Sequence, residues 1–388
     1  MRIGIVLSQP PSYSEIFFNL KIKGLIDSGV DVTLFVQKNS NTYKKCKVLP
    51  ASKVYKNKGL QVLQSLKVML TLIPHLKATL GFLKLEKQAG RSTKQQFKNL
   101  LTNAHLLKAK VDWLHFGFTT LALQSEHVAK AIGAKMVVSC RGYDMDVFPI
   151  KHNNPYDLVW QNVDKVHAIS NYMKQKALEN GMRSTTAIKI ITPAIDSNAW
   201  EISNPVEKSK TIQITTIARL HWIKGLLESI EAMAELKKKG TDFQYHIIGS
   251  GPQYEALSFA IDQLGLTGHV KLLGQLKPEV IQNQLQNTDI YVQYSHSEGF
   301  CNAVLEAQAM GCLCIVSDGG ALPENVLHNQ TGIVVPKGKP KQLANAIDEL
   351  LKRNDDDKRK LVLNAIRRVN NDFDIHDQIK QFMDFYSN

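Results

Sequence analysis

Short apolar runs alternate with amphipathic segments along most of the 388-residue chain. The runs RIGIVL, DVTLFV, KMVVSC and FQYHIIG are apolar at most positions, which is typical of parallel strands that are buried on both faces. The segments between such runs place apolar residues three and four positions apart, as helices that cover a sheet do. The alternation predicts an α/β protein made of βαβ units.

This series of strands and helices occurs twice, and a polar segment separates the two occurrences. Residues 196–210, DSNAWEISNPVEKSK, contain Pro205 and indicate a linker. We predict Rossmann-like domains at 1–195 and 211–370, and a C-terminal helix at 371–388 that packs back on the first domain. Because open parallel sheets bind ligands at the carboxyl ends of their strands, a site is expected in a cleft between two doubly wound domains that face each other.

Positive charge is concentrated in the first half of the chain. Residues 1–200 carry a formal charge of +16 and residues 201–388 carry −3. From Lys38 to Lys110 there are sixteen basic residues and one acid, Glu86. A run this one-sided suggests an anionic partner, although a merely solvated face stays open as an alternative.

The type of anionic partner follows from what accompanies the charge. No nucleic-acid-binding motif is present, so we expect no nucleic-acid partner. The stretch LQVLQSLKVMLTLIPHLKATLGFLKLEK interleaves Leu, Val and Phe with Lys at helical spacing. That pattern is typical of a helix on an anionic membrane surface, and it would suit an acceptor carried on a membrane lipid.

Targeting and redox features point to the cytoplasm. The opening MRIGIVLSQPPS lacks the pattern of a signal peptide. No segment is expected to span a membrane, because the best candidate, VMLTLIPHL, is short and contains Pro74. Five cysteines without a CxxC pair favour a reduced compartment. The expected location is cytoplasmic, with peripheral attachment to the inner face of the membrane.

The stretch HSEGFCNAVLEAQAMGC contains the strongest chemical signal. It follows the strand DIYVQY, and it predicts a loop and then a helix from about Asn302, with Asn302 as the N-cap residue and Gly311 as the stop. Glu298 precedes the helix and Glu306 lies on its first turns. We expect the free backbone N–H groups of residues 299–303 (Gly299, Phe300, Cys301, Asn302 and Ala303) to point outward with the positive end of the helix dipole, which predicts an anion site.

Two carboxylates on either side of an anion site suit a ligand with hydroxyl groups on both sides of a phosphate. A carboxylate has four acceptor positions and matches vicinal hydroxyls. A sugar nucleotide has this layout, so we assign its hexose to Glu298 and its ribose to Glu306. The diphosphate also needs cations, and ARLHWIKG supplies Arg219 and Lys224 directly after the strand TIQITTIA.

These residues resemble glycosyltransferase family 4. The resemblance is carried by ARLHWIKG, HIIGSGPQYEAL, VKLLGQL and the long HSEGFCNAVLEAQAMGCLCIVSDGGALPENVLHNQTGIVV, and more loosely by QPPSYSEIFF, LHFG and SCRGYDMD. It implies a GT-B fold with an acceptor-side domain at 1–195 and a nucleotide-sugar domain at 211–370. It also implies sugar transfer with retention of anomeric configuration, without metal or cofactor.

The implied function is transfer of a sugar from a nucleotide diphosphate sugar, with a UDP-sugar expected, to a glycan or lipid-linked acceptor in bacterial-type surface polysaccharide or lipopolysaccharide biosynthesis. Catalytic roles are assigned to Glu298, Arg219, Lys224 and Arg141, and no protein nucleophile is expected. Two alternatives stay open: a nucleotide-sugar epimerase of the same fold, and an inactive module that binds polyanions or membranes. An epimerase would need titratable groups around the sugar, and a module would not need the set of Arg219, Lys224 and the two glutamates.

Several other features have competing interpretations. Many relatives carry His where this chain has Arg141, so Arg141 either binds a phosphate or an acidic sugar, or pairs with Asp144 in a structural salt bridge. Asp144 and Asp146 form a D-x-D pattern, but its context disfavours a metal site. Gly249 and Gly251 in IIGSGP lack the third glycine of a dinucleotide fingerprint, and they predict a tight turn near the nucleotide base. His115 could face the cleft or be a satisfied structural histidine.

Overall fold

The computed structural model of the protein describes residues 1–11, 16–38, 43–200 and 210–387. The chain divides into two compact units. Unit 1 contains Met1–Ile169, Met173–Ile191 and Ile379–Asn388, and unit 2 contains Ser170–Tyr172 and Thr192–Gln378. Most of the predicted linker at 196–210, and part of QPPSYSEIFF, lie outside the described residues.

Unit 1 is built on a seven-stranded sheet in which every pair of neighbouring strands is parallel. The spatial order is β3-β2-β1-β4-β5-β6-β7. The strands are β1 (Arg2–Leu7), β2 (Asp31–Val36), β3 (Lys47–Pro50), β4 (Trp113–Phe116), β5 (Lys135–Cys140), β6 (Lys165–Ala168) and β7 (Ala187–Ile190). The central strands are almost fully buried, as their uninterrupted apolar sequences predict.

Within the described part of unit 1, eight helices connect these strands. They are α1 (Ile16–Asp27), α2 (Lys58–Leu72), α3 (Leu76–Gln88), α4 (Thr93–Leu107), α5 (Val128–Ile132), α6 (Phe148–Lys151), α7 (Asp157–Asn162) and α8 (Asn171–Glu179). One sequence-based expectation is wrong here, since TTLALQSEHVAKAIG does not form a single helix. It forms a 3-10 turn at Thr119–Ala122 and then α5, because the chain turns between them at Gln124, whose φ is +66°.

The expectation that no segment is long enough to span a membrane is also corrected. Pro74 lies at the start of a 3-10 turn, Ile73–His75, where its missing N–H costs no hydrogen bond. The turn therefore joins α2 to α3 without a break. The resulting 31-residue helical stretch, Lys58–Gln88, is long and apolar enough to cross a membrane by length and composition alone.

Unit 2 is built on a six-stranded sheet, which is again wholly parallel. Its spatial order, β10-β9-β8-β11-β12-β13, is the 3-2-1-4-5-6 order of a dinucleotide-binding fold. The strands are β8 (Ile212–Ile217), β9 (Phe243–Ile248), β10 (Val270–Gly274), β11 (Ile290–Gln293), β12 (Leu313–Ser317) and β13 (Ile333–Val335). The prediction of an α/β protein with two doubly wound domains is confirmed.

The helices of unit 2 follow its strands in alternation. They are α9 (Leu226–Lys238), α10 (Tyr254–Gln263), α11 (Pro278–Gln286), α12 (Asn302–Ala309), α13 (Leu322–Asn325), α14 (Pro340–Lys352), α15 (Asp355–Asp372) and the start of α16 (Ile375–Ser387). One apolar cluster joins the inner faces of α9 and α14 to the sheet through Ile230, Met233, Leu343 and Ile347, all of them fully buried.

The last part of α16 belongs to unit 1. Its Tyr386 carbonyl accepts a hydrogen bond from the indole of Trp113 at 2.9 Å, and Phe385 and Tyr386 are buried in the apolar cluster around β1 and β2. Gly24 of α1 makes this packing possible, because a Cβ atom there would lie 2.3 Å from the side chain of Ile379. The last part of α16, from Ile379 onward, is therefore part of the unit 1 core.

Candidate functional site

The sheet of unit 2 changes direction between β8 and β11. Strands β9 and β10 lie on one side of this point, and β12 and β13 lie on the other. The loops that follow two such strands diverge, so a crevice forms at the carboxyl ends of the strands. Proteins of this fold class bind ligands in that crevice. The loop at 218–225 follows β8 and carries Arg219 and Lys224, and the loop at 294–301 follows β11 and carries Glu298.

These two loops are in direct contact. The backbone N–H of His296 donates to the carbonyl of Ile223 at 2.8 Å. Gly225 ends the first loop with φ at +58°, and a Cβ atom there would lie 2.1 Å from the carbonyl oxygen of Tyr294. Only glycine fits this position, since both the left-handed backbone and the close approach exclude a side chain.

Glu298 forms an ion pair with Lys224 across this contact. The Lys224 Nζ atom lies 2.5 Å from Glu298 Oε1, and the two side chains are 14% and 9% exposed. The same oxygen also accepts hydrogen bonds from Ser295 Oγ at 2.9 Å and from Gln293 Nε2 at 3.3 Å. The carboxylate is therefore held in one place by three donors, all of which contact Oε1.

Arg219 differs from Lys224 in its surroundings. Its side chain is exposed, and it has no ion-pair or hydrogen-bond partner among the described residues. The backbone on either side of it is fixed, because Ala218 N donates to Ile248 and Leu220 N donates to Ser250, at 2.9 and 3.0 Å. The structure thus holds the base of the Arg219 side chain and leaves its guanidinium available for a ligand.

Gly249 and Gly251 make that fixed backbone possible. A Cβ atom on Gly249 would lie 1.9 Å from the carbonyl oxygen of Ala218, and one on Gly251 would lie 2.4 Å from that of Leu220. The predicted tight turn is present, and its observed function is to let the loop after β9 pack directly against the Arg219 loop. A contact of either glycine with a nucleotide stays a prediction.

The start of α12 differs from the prediction in two respects. Cys301 is the N-cap residue, and Asn302 is the first helical residue. The backbone N–H of Cys301 is not free, because it donates to Asn325 Oδ1 at 3.1 Å, and Asn325 Nδ2 returns a bond to the Cys301 carbonyl at 3.0 Å. The sequence could not show this, since Asn325 lies 24 positions downstream.

The backbone N–H groups of Gly299 and Phe300, which were predicted to bind an anion, remain available for a ligand. Among the described residues, no acceptor lies within hydrogen-bond distance of the N–H of Gly299 or Phe300. The Phe300 ring packs against Phe373, with ring centroids 5.4 Å apart, so only its backbone is free. Burial raises the pKa of the Cys301 thiol to about 12, so this side chain is neutral.

Glu306 lies just over one turn into α12 and is partly buried. Its carboxylate has no hydrogen-bond or ion-pair partner among the described residues, and burial raises its pKa to about 7. A partly buried carboxylate without protein donors can accept hydrogen bonds from a ligand. Like the guanidinium of Arg219, the Glu306 carboxylate is therefore available for such a ligand.

We expect Glu306→Gln to raise the free energy of unfolding at pH 8 and to leave it unchanged at pH 4. Between the ordinary pKa of 4.5 and the folded value of about 7, the unfolded chain loses the proton while the folded chain keeps it. The wild type therefore loses stability as the pH rises through this window, by about 1–3 kcal/mol. The variant has no proton to lose.

Urea unfolding at pH 4, 6 and 8 measures this difference. Glu235→Gln is the matched control, because that carboxylate is on the surface and pairs with Lys238 at 2.7 Å. Equal stability of wild type and Glu306→Gln at pH 8 would show that the Glu306 carboxylate is solvated or paired.

Three further residues contribute contacts to the site, although the sequence had led to no role for them there. Gln293 and Ser295 hold Glu298, and His296 Nε2 lies 2.9 Å from Glu228 Oε1. A signal existed for Gln293, because a polar residue inside the buried strand DIYVQY needs a partner. No local pattern reveals the contact of His296 with Glu228, because Glu228 lies on α9, 68 positions earlier in the sequence.

Arg141 lies at the corresponding region of unit 1, directly after β5. Its guanidinium carbon is 4.2 and 4.8 Å from the ring centroids of Phe17 and Phe18, and its Nε donates to the Gly117 carbonyl at 3.1 Å. The charge of Arg141 also acts on Asp144, where it opposes the rise in pKa that burial causes. The assignment of Arg141 to an anionic group of the substrate stays a prediction.

Asp144 has a structural function in unit 1. Its oxygens accept from the Thr119 backbone at 3.0 Å and the Thr120 hydroxyl at 2.7 Å, and burial raises its pKa to about 6. Groups of three or more His, Cys, Asp or Glu side chains that could hold a metal ion are absent from the described residues. Asp144 therefore fixes the turn after β4.

His115 is a structural histidine. It is 1% exposed, and its Nε2 lies 2.8 Å from Ser139 Oγ while its Nδ1 contacts Lys21 at 3.2 Å and the Tyr386 hydroxyl. Burial lowers its pKa well below the usual value. Of the two interpretations of His115, the satisfied core residue is the one that the structure supports.

Comparison with known proteins agrees with this geometry. Residues 198–368 match the family described as glycosyl transferases group 1. The amylovoran biosynthesis glycosyltransferase AmsK of Erwinia amylovora is 26% identical over 98% of both chains. WcaL of Escherichia coli K12, whose name assigns it to colanic acid biosynthesis as a glycosyltransferase, is 24% identical over 96% of both chains.

Among solved structures, Anabaena HepE in complex with UDP and glucose superposes on this fold. Its TM-score is 0.74 at 16% identity, and the match covers 100% of this chain and 99% of HepE. The family match covers the residues that carry Arg219, Lys224 and both glutamates, and the structural match covers both units. The chain is a glycosyltransferase of the GT-B fold, and its residues 198–368 match the glycosyl transferases group 1 family.

Proposed function

We propose that the protein transfers a hexose or related sugar from a UDP-sugar to a growing glycan or a lipid-linked acceptor, with retention of configuration, in the biosynthesis of a surface polysaccharide or lipopolysaccharide. In this reaction the bond between the anomeric carbon and the β-phosphate oxygen breaks. An acceptor hydroxyl forms the new glycosidic bond and loses its proton, and the nucleoside diphosphate leaves.

The observation that carries the proposal is the ion pair of Lys224 with Glu298 at the point where the unit 2 sheet changes direction. A cation and a carboxylate that touch at 2.5 Å can bind two adjoining groups of one ligand. A donor has such neighbours, because the sugar hydroxyls lie next to the β-phosphate. Lys224 would bind the phosphate and Glu298 would accept from the hydroxyls.

The diphosphate would be bound by two cations and two backbone donors. Arg219 has a guanidinium without a protein partner, which can make a bidentate contact with a phosphate. The free N–H groups of Gly299 and Phe300 precede α12, whose N-terminus carries partial positive charge. Charge develops on the leaving diphosphate in the transition state, so these groups would accelerate bond cleavage by electrostatic stabilisation.

Glu306 supplies the third group of the donor site. Its partly buried carboxylate lacks a protein donor, and a pair of ribose hydroxyls would provide two. Binding of the nucleotide would therefore supply hydrogen-bond donors that the protein itself does not. This assignment separates the roles of the two glutamates, with Glu298 for the transferred sugar and Glu306 for the nucleoside.

Similar proteins support the proposals for the nucleotide base of the donor and for the biosynthetic pathway. HepE was crystallised with UDP and with UDP-glucose, and the names of AmsK and WcaL place these proteins in amylovoran and colanic acid biosynthesis. These proteins support a UDP-sugar donor and a polysaccharide as the product. Glu298 and Glu306, with seven residues between them, resemble the paired glutamates of glycosyltransferase family 4. This resemblance supports retention of anomeric configuration without a metal ion.

A thermal-shift panel tests the donor assignment. We expect UDP and UDP-sugars to raise the melting temperature without added metal, since a ligand at 100 times its dissociation constant adds ~2.7 kcal/mol of stability. Uridine should have a much smaller effect, because it lacks the diphosphate. A panel in which GDP or ADP stabilises and UDP does not would contradict the UDP assignment, and no response to any nucleotide would contradict the donor site as a whole.

A further inference from the structure

An exposed apolar stripe runs along the outer side of the α2–α3 stretch. It consists of Leu63, Leu66, Leu70, Ile73, Leu76 and Leu80, each of which is between 53% and 65% exposed. Their steps of three and four residues place them within about 140° of the helix circumference and along about 25 Å of its length. Single exposed leucines are ordinary on a protein surface, whereas a contiguous stripe of this kind marks an interaction site.

The stripe is separate from the face that packs on unit 1. The buried face consists of Val68, Leu72, Thr79, Phe82 and Glu86. An amphipathic helix with one buried face needs polar residues on the other, and this helix has apolar residues on both. Packing of the fold therefore explains the inner face and leaves the outer face unexplained.

The charges around the stripe are of one sign. Lys67, Lys77, Lys84 and Lys87 are exposed on the same helical stretch. The one acid between Lys38 and Lys110, Glu86, is fully buried, and it is bound by Arg91 at 3.0 Å and by His127 at 2.7 Å. The outer surface of this segment thus presents apolar and basic groups, and no carboxylate of the segment offsets them.

We propose that this stripe docks the enzyme on the surface of an anionic lipid membrane, with the leucines inserted at the level of the headgroups and the lysines against the lipid phosphates. Charge complementarity selects this partner, because a protein surface that matched the stripe would have to be both apolar and acidic, and a membrane rich in anionic lipid is both. Apolar insertion and attraction of basic residues act together in such binding.

The geometry favours a helix that lies on the membrane over one that spans it. In the best 18-residue window of Lys58–Gln88, 22% of the residues are buried inside the protein. The buried Glu86 accepts a hydrogen bond from Asn99 of α4 and pairs with Arg91, which precedes α4, and a spanning orientation would break both contacts. The docked helix keeps these contacts and buries only its outer side.

This inference is independent of the proposed donor and goes beyond it, since membrane docking can be measured without any substrate. The test is sedimentation of the purified protein with vesicles of phosphatidylcholine alone or with 30% phosphatidylglycerol. We expect binding to the anionic vesicles only, with an affinity at least tenfold lower in 1 M salt. The Debye length falls from about 10 Å at 0.1 M to about 3 Å at 1 M.

Two sets of variants separate the apolar contribution from the charge contribution. Leu66→Gln, Leu70→Gln and Leu80→Gln combined should reduce vesicle affinity at least tenfold, and Lys67→Gln, Lys77→Gln, Lys84→Gln and Lys87→Gln combined should do the same. The controls replace exposed apolar residues and exposed lysines of unit 2. They are Phe259→Gln, Leu264→Gln and Leu363→Gln for the stripe, and Lys238→Gln, Lys341→Gln, Lys352→Gln and Lys360→Gln for the charge.

Several outcomes would overturn the proposal. Wild-type protein that does not bind anionic vesicles, or a leucine variant that binds as well as wild type, would exclude docking through the stripe. A stable dimer that the leucine variant dissociates, without vesicle binding, would assign the stripe to a second copy of the chain. All variants must retain the wild-type melting temperature, which shows that the fold is intact. Sedimentation is measured without nucleotide, so its outcome does not depend on the donor assignment.

Discussion

Replacement of Glu298 with Gln is expected to reduce sugar transfer about 100-fold while the affinity for UDP changes less than threefold. Glu298 is assigned to the hydroxyls of the transferred sugar, and a charged hydrogen bond contributes ~1.5–3 kcal/mol. Loss of one or two such bonds removes about 3 kcal/mol from the stabilisation of the transition state, which corresponds to about two orders of magnitude in rate. The uncharged amide keeps the shape of the side chain and one acceptor for Lys224.

The measurement compares the rate of transfer with the affinity for UDP in the same preparations. Glu306→Gln should show the opposite split, with weaker UDP binding, because Glu306 is assigned to the ribose. Glu235→Gln, a surface glutamate that pairs with Lys238, should change neither quantity. If Glu298→Gln and Glu306→Gln lost UDP affinity equally, the division of the two glutamates between sugar and nucleoside would be wrong.

Lys224→Ala and Arg219→Ala are expected to reduce the affinity for UDP tenfold or more, with little effect on uridine. The physical reason is the loss of a charged contact with the diphosphate, at ~1.5–3 kcal/mol for each. The two variants should differ in stability. Lys224 is 14% exposed and pairs with the buried Glu298, whereas Arg219 is exposed and has no partner among the described residues.

Removal of one member of a buried ion pair typically costs 3–5 kcal/mol, because a charge remains without compensation. Lys224→Ala should therefore lower the free energy of unfolding by about 2–4 kcal/mol, reduced from that range by residual exposure and by the remaining bonds of Ser295 and Gln293. Arg219→Ala should leave it unchanged. The double variant Lys224→Ala with Glu298→Gln should recover part of the loss, as calorimetry or urea unfolding can show.

Two results would contradict this assignment. Unchanged affinity for UDP in both single variants would remove Arg219 and Lys224 from the diphosphate site. Equal loss of stability in both would show that the ion pair is not what distinguishes them. A variant with lower stability and normal UDP affinity would make Lys224 a structural residue.

The class of the fold and the main residues of the site could be predicted from the sequence. Strands buried on both faces need continuous apolar runs, and the helices between them need apolar residues at steps of three and four. Both signals are local, so they can be recognised without any knowledge of tertiary contacts. Arg219, Lys224 and Glu298 were found in the same way, because each follows an apolar strand and carries a charge that a loop at a strand end can present to a ligand.

The order of the strands was decided by the tertiary structure. Strands β8 and β11 are separated by more than 70 positions in the sequence, yet they are neighbours in the sheet. This neighbourhood brings Lys224 to Glu298, and it lets Gly225 lie against the Tyr294 carbonyl. Local patterns cannot show it, because the partner of a strand depends on how every helical connection crosses the sheet.

A hydrogen bond to a residue far away in the sequence explains why the prediction for the start of α12 was partly wrong. The N–H of Cys301 was expected to face a ligand, and Asn325 occupies it. Contacts between residues distant in the sequence also decide which side chains of the α2–α3 stretch in unit 1 are buried. The sequence showed that Leu and Lys alternate along Lys58–Gln88, but only packing against the rest of unit 1 decided that Glu86 is buried with Arg91 and that Leu66 and Leu70 are exposed. Which face of an amphipathic segment meets solvent is a property of its neighbours, and those neighbours are set by the whole chain.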